Sequence, residues 1–418
     1  MLPGFKMAMF PRRYLQGSNA IKYIGKISKI YMKKALVIGG KRALKSAEEA
    51  GLKDFLKDSL DFHIAEFGMP PYGPESCEPE IERLKKIAEE NNCDGIISIG
   101  GGKVIDTGKA VANKINGEVV VFPTIAANDA PTSALSVIYT PEHVFKEYWF
   151  FNVNPAAVIV DSKIIANAPA RYLAGGMGDA ATKKFEAAAC IRSGSKNLNV
   201  MPEWIAGSTD FTFSIANGQY DRLLEYGELA MDSVRAKAVT PALEAIIETN
   251  ILWSGIAFES SGLAAAHAIH DGFTIAENLI PEEFRPIHGE LTNFGALVEM
   301  AMEDYSKDTI INHMIWSHNV GLPINLKELG FNKKDLTDEI IWKIAEKATS
   351  EGETFHTEFF LTQGAKEIGT YKNIVDPKEL VFYSIKYIDS LGERIGEKYP
   401  RTAYDKSWVP YDAFMKKK

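Results

Sequence analysis

The sequence has little cysteine, no long apolar run and no concentration of one charge. Its 418 residues hold three cysteines, Cys77, Cys93 and Cys190. So few thiols at such wide spacing exclude a disulfide framework and a thiolate metal site, and they fit reduced thiols in the cytoplasm. Lys and Arg number 47 against 55 Asp and Glu, for a formal net charge of −8. No run of Lys or Arg is longer than the terminal "KKK", so neither nucleic acid nor a membrane surface is an expected partner. The N-terminal "MLPGFKMAMFPRRYLQGSN" is broken by Pro and Arg too early for a signal peptide or a spanning helix. Internal repeats are absent, and so is the GxGxxG fingerprint of dinucleotide-binding turns.

What is present suggests two domains, because one hydrophobic core seldom serves so long a chain. Through residue 170, short β-branched runs alternate with amphipathic stretches. "KALVIGG" (34–40), "DFHIAEFG" (61–68), "DGIISIGGGK" (94–103), "EVVVFPT" (118–124) and "AAVIVDS" (156–162) read as strands. Their continuous rather than alternating apolar character predicts a parallel sheet covered on both faces. From 171 to 418 the patterning is helical, with a period of about 3.6 residues. The expected fold is therefore an α/β Rossmann-like domain over 1–170, followed by an all-α domain over 171–418. The aromatic end "YPRTAYDKSWVPYDAFMKKK" reads as an arm without assignable chemistry.

Two stretches of the first domain suit a ligand. "SIGGGKVIDTGKA" (98–110) is a strand, a glycine turn and a helix, an arrangement that lets backbone N–H groups approach an anion. A plain tight turn explains it equally, and Lys103 would then be solvated. "FPTIAANDAPTSALSVIYT" (122–140) gathers Thr124, Asn128, Asp129, Thr132 and Ser133 just past a strand's C-terminal end. Parallel sheets bind ligands at that edge; a capped loop would use the same residue types.

In the helical half, "GLAAAHAIHDG" (262–272) reads as a buried helix carrying His267 and His270 on one face. His288 stands at a helix start in "RPIHGE". Three imidazoles within 22 residues point to a metal or catalytic site more than to three separate core histidines. The other five histidines, 63, 143, 313, 318 and 356, read as solvated or locally bonded. A hard ligand is available in "AGGMGDAATKKFEAA" (174–188), where Asp179 follows a glycine-rich turn and opens a helix. An N-cap aspartate would look the same.

Taken together, "GGGKVIDTGKA", "PTIAANDAPTSALSVIYT", "GGMGDAATKKFEAAAC", "VTPALEAIIETN", "FESSGLAAAHAIHDGFT", "HGE" with "FG", "VGLPINLKELG" and "EGETFH" resemble the iron-containing alcohol dehydrogenase superfamily, most closely its glycerol dehydrogenase branch. The resemblance runs in family order over most of residues 20–395. It implies a cytoplasmic homo-oligomer that moves a hydride between a small polyol or alcohol and NAD, in a cleft between the two domains. It further implies one divalent metal, Zn2+ rather than Fe2+, held by Asp179, His267 and His288. A position left open by three protein ligands takes a substrate oxygen. His270 corresponds to a proton-transfer position, and Asp129 and Phe258 to the substrate pocket, Asp129 also meeting a second hydroxyl. Gly40, Gly101, Gly102, Lys103, Asp106, Thr124, Ser133, Leu135, Val137 and Tyr139 correspond to cofactor contacts.

The departures matter as much. The iron-dependent branch has a further histidine four residues after the aspartate, where this chain has Lys183. Many NAD-specific relatives carry an acidic residue after the first strand, where this chain has Gly39 and Gly40 with Lys41 and Arg42 beside them. Removal of that carboxylate makes NADP an acceptable cofactor. Asn128 precedes the pocket aspartate in "AAND", and Leu291 and Thr292 follow "HGE". Segments 193–222 and 273–287 are less family-like, and 396–418 is additional. The competing readings are a same-fold dehydrogenase for another small alcohol, aldehyde or phosphorylated polyol, and a dehydroquinate-synthase-like lyase. A non-haem iron oxygenase triad and a non-catalytic nucleotide sensor stand further off.

Overall fold

The β-branched runs fold as strands, most of them without a solvent face; the edge strand Asp61–Glu66 keeps Asp61, His63 and Glu66 exposed. In the computed structural model, residues 5–141, 144–198, 206–357 and 376–400 are described; His143 and the arm beyond residue 400 lie outside them. Six strands form one sheet in the order Tyr14–Gly17, Ala157–Asp161, Glu118–Pro123, Gly95–Gly100, Lys34–Gly39, Asp61–Glu66. Every ladder in it is parallel. Alternate side chains enter opposite layers. Leu36, Ile38, Ile96 and Val121 pack in one apolar cluster, and Ala35, Val37, Ile97, Ile99, Val120 and Phe122 in the other. Helices Glu78–Glu90 and Gly102–Lys114 contribute Ile81, Leu84, Ile105 and Val111 to the first cluster.

The chain forms two compact units. One comprises residues 9–168 with 232–259, and the other 1–8 with 169–231 and 260–418. The second is built from helices, among them Ala170–Ser193, Asp210–Arg235, Ala265–Thr274, His288–Met302, Lys307–Val320, Asp338–Ala348 and Pro377–Lys398. Among its described residues the strands are the two-residue pieces Phe5–Lys6 and Ala206–Gly207, paired in parallel. No helix among the described residues is long and apolar enough to cross a membrane.

Several local expectations are corrected. Leu135–Tyr139 and Phe145–Phe150 form an antiparallel hairpin where the sequence suggested a polar loop. The polar cluster before Ala134 hid the alternation that follows it. The glycine turn is shorter than read, since the helix starts at Gly102. The stretch 262–272 is not one helix: Ser254–Ser261 ends, Gly262 takes φ +97°, and a new helix begins at Ala265. Asp179 does not open a helix either. It lies inside the 24-residue helix Ala170–Ser193, whose first turn follows Pro169.

The glycines before Asp179 mark a backbone crossing rather than a turn. A Cβ on Gly178 would stand 2.2 Å from the Gly289 carbonyl oxygen, and one on Gly289 1.7 Å from that of Gly175. Helices Ala170–Ser193 and His288–Met302 meet there main chain to main chain. Arg171 reinforces the crossing, donating to both Glu290 carboxylate oxygens at 2.7 Å. Glu290 in turn accepts the Ile287 N–H at 2.9 Å, fixing the start of the His288 helix. A Gly289→Ala protein should lose about 1–3 kcal/mol of stability, because the new methyl meets backbone that cannot rotate away. Denaturant unfolding measures it, and an unchanged midpoint would show that the helices have room to separate.

Candidate metal centre and cofactor turn

The crossing sets three donor atoms side by side. Asp179 comes from the middle of one helix, His288 from the first residue of the other, and His267 from Ala265–Thr274. One donor atom from each lies within 4.8 Å of the others. Asp179 Oδ1 is 3.6 Å from His267 Nε2 and 3.7 Å from His288 Nε2. Ligands about 2.0–2.2 Å from a tetrahedral zinc ion are separated by about 3.4 Å, so the spacing suits such a cation. Asp179 Oδ2 is buried and has no hydrogen-bond partner.

Each member is held by a neighbour. Glu186, seven residues beyond Asp179 on the same helix, is 2.8 Å from His267 Nδ1. It also accepts the Ala264 and His267 N–H groups at 2.9 and 3.1 Å. A carboxylate on the far ring nitrogen orients an imidazole and turns its other nitrogen toward a cation. Burial opposes charge on both acids. The Lys183 ammonium, with His267 and His288, nevertheless holds Asp179 well below the usual carboxylate range. His267 brings Glu186 down to about 2. Burial, followed by the charge of His270, pushes His288 down to about 4. His288 is therefore neutral near pH 7, whereas burial of His267 is outweighed by Glu186, which leaves it raised to about 9, so a cation there would displace a proton.

His270 sits beside this group. Its Nε2 is 3.1 Å from His288 Nδ1 and its Nδ1 is 2.8 Å from Asp271 Oδ1, a short chain of groups able to exchange a proton. One participant escaped the sequence reading, Glu186, and a second, Lys183, was read only as a missing ligand. Glu186 was signalled by its two-turn offset from Asp179, and Lys183 by its one-turn offset. Lys183 reaches inward: its Nζ donates to Asp179 Oδ1 at 2.6 Å and lies 3.3 Å from His267 Nε2. Of the remaining described histidines, His313 is buried between Tyr220 and Asn293, and His318 meets the Tyr399 carbonyl.

The sheet unit carries the glycine turn. Gly101 caps the helix Gly102–Lys114, leaving its first N–H groups available to an anion. Space there is small: a Cβ on Gly102 would stand 2.8 Å from the Asn128 amide nitrogen. Lys103 is bonded to Glu75 and lies over the Tyr139 ring at 5.6 Å, so it is not merely solvated. Asp106 is buried in an ion pair with Lys109 at 2.9 Å and accepts the Val137 N–H at 3.3 Å. Lys109 Nζ also reaches the Ala130 carbonyl and, at 3.4 Å, the Ser133 hydroxyl. Asp106 and Ser133 thus tie the helix to the hairpin that presents Leu135, Val137 and Tyr139. The Thr124 N–H donates to the Gly100 carbonyl, closing the edge beside the turn.

Asp129 is buried and accepts a 2.8 Å bond from Ser254, which lies one turn before Phe258 on the same helix. A Cβ on Gly255 would be 1.7 Å from the Thr132 hydroxyl, which shows how closely that helix approaches the loop. Nearby, Glu259 accepts the Ala134 N–H at 2.7 Å and a bond from Asn154. Burial lifts Glu259 to about 7, beyond what those two bonds take back. A carboxyl raised in the fold contributes stability that is complete below its unfolded value near 4.5 and lost as pH rises through about 7. The thermal midpoint of wild type should therefore fall relative to Glu259→Gln between pH 5 and 8. A constant difference across that range would place the titration elsewhere.

Comparison with known proteins shows the family. The family model for iron-containing alcohol dehydrogenase matches residues 11–162. A glycerol dehydrogenase of Escherichia coli O6:H1 is 43% identical over 83% of this chain and 90% of its own. A glycolaldehyde reductase of Halobacterium salinarum is 37% identical over 84% of this chain and 92% of its own. The solved glycerol dehydrogenase of Schizosaccharomyces pombe superposes with a TM-score of 0.83 at 29% identity, covering 96% of this chain and 95% of that one. These likenesses define an oxidoreductase of the alcohol dehydrogenase class. The chain belongs to the iron-containing alcohol dehydrogenase family, within its glycerol dehydrogenase branch. Membership implies NAD(P) and a divalent metal.

Proposed function

We propose that this enzyme interconverts glycerol, or another small vicinal diol, and the matching hydroxyketone with NAD(P) as hydride carrier. The observation that carries the reading is the Asp179, His267 and His288 group, the first two buried, with Glu186 behind it. These three residues would hold Zn2+, or Fe2+ in its place, and the cation would supply Lewis acidity that lowers the pKa of a bound hydroxyl. His267 and His288 direct their Nε2 atoms at Asp179, and Glu186 fixes the His267 ring. His270 takes the substrate proton and passes it along His288 or Asp271. Asp129, steadied by Ser254, accepts a bond from a second hydroxyl, which favours a diol over a simple alcohol. Phe258 supplies the apolar wall. Gly101, Gly102 and the N-terminus of their helix bind the pyrophosphate. The Halobacterium relative's name favours a second substrate class, a small hydroxyaldehyde reduced in the opposite direction. Three cysteines that are all buried thiols outside any disulfide agree with a cytoplasmic enzyme, and a homo-oligomer is the assembly proposed for it.

NAD(P)H formation over a panel of polyols, with and without a chelator, tests the reading. Glycerol or 1,2-propanediol should reduce the cofactor, the chelator should stop it, and His267→Ala should lose both activity and bound metal. Activity that survives in His267→Ala would overturn the assignment. Cofactor choice has its own test. Gly40 has φ −70° and ψ 152°, and a Cβ there would meet nothing within 4 Å, so an aspartate fits without strain. Lys41 and Arg42 beside it are exposed. Wild type should use NADP readily, and Gly40→Asp should shift the kcat/KM ratio toward NAD by about tenfold or more. A strong NAD preference already present in wild type would refute the idea.

A further inference from the structure

The residue least explained by the proposed chemistry is Lys183. Its side chain and that of Asp179 are each only 1% exposed, so this is no solvated surface pair. Its ammonium bonds Asp179 Oδ1 at 2.6 Å and lies 3.3 Å from His267 Nε2. Those are two of the three atoms that would hold the cation. His267 Nδ1 is engaged by Glu186 at 2.8 Å, so Nε2 is the ring atom left to meet either the ammonium or a metal ion. A buried carboxylate gains greatly from one cation close by, but a second one and a divalent ion crowded on the same oxygen repel each other in a medium that screens them poorly.

We propose that Lys183 is a built-in competitor for the metal: its ammonium occupies Asp179 and His267 until a cation displaces it. The long, unbranched lysine stem allows that withdrawal, since its head can move several ångströms without backbone change. Two consequences follow from the one contact. The empty site stays folded, because Asp179 is never left as an uncompensated buried charge. Metal affinity is held down, because loading must first break the ion pair.

This inference rests on the three-ligand site proposed above, and the experiment separates the two. Full-length apo-protein is titrated with Zn2+ against a chromophoric chelator, comparing wild type, Lys183→Met and Lys183→Gln, each also in combination with His288→Ala. Both Lys183 variants should bind one Zn2+ about tenfold tighter or more than wild type. Their thermal midpoints without metal should be lower, and the rise on adding Zn2+ larger. Should Lys183→Met fail to fold, Lys183→Gln, which keeps a hydrogen-bond donor without the charge, gives the same comparison. Equal or weaker Zn2+ binding in the foldable variants, with His288→Ala still reducing it, overturns the competitor and leaves the site standing. Binding indifferent to His288→Ala overturns both.

Discussion

Everything proposed for the metal centre depends on two helix backbones touching. Gly175, Gly178 and Gly289 remove the side chains that would keep Ala170–Ser193 and His288–Met302 a normal distance apart. Helices usually pack with axes 8–10 Å apart because side chains intervene. Without them, a residue in the middle of one helix and a residue at the very start of another can share a small ion. Arg171 and Glu290 then pin the crossing from one side with a bidentate pair, the ionic contact with the most directional preference.

The second organising fact is charge in a dry place. Asp179 and Glu186 are both buried, and neither could remain ionised there alone. Each is matched: Glu186 by the His267 ring and two backbone N–H groups, Asp179 by Lys183 and the two imidazoles. The sheet unit solves the same problem differently. Asp106 has Lys109 at 2.9 Å and Glu259 has the Ala134 and Asn154 donors, yet burial pushes both toward the protonated form. The four buried acids thus divide by unit: the two beside the imidazoles are held ionised, while a single nearby ammonium does not offset the burial of Asp106.

Much of this was legible in the sequence, and the exceptions have physical causes. Strands buried on both faces announce themselves by continuous apolar runs, as at 34–39, 95–100, 118–123 and 157–161, and the half-exposed edge strand 61–66 also fell where expected. The clustered donor group was legible because imidazoles in an alanine-rich stretch are conspicuous and Asp179 stood out as a candidate hard ligand, to which the family resemblance gave a role. The structure around Asp179 was misread, since glycine before an aspartate looks like a turn and its cap. Only the partner helix, more than a hundred residues away in sequence, reveals those glycines as a contact surface. Lys183 was read as the loss of a ligand, and no local pattern says whether a lysine points inward. Glu259 was invisible as a titrating group, because its character comes from Ala134 and Asn154 rather than from its neighbours in sequence.

One helix, Ala170–Ser193, carries Arg171, Asp179, Lys183 and Glu186. The last three fall on one face, at offsets of four and seven residues. Such a helix works as a ruler with several marks. Replacing any one residue alters only that residue's own contacts, but inserting or deleting one residue rotates everything beyond it by about 100°. The segment can therefore change over evolutionary time by substitution, one function at a time, while its length is frozen.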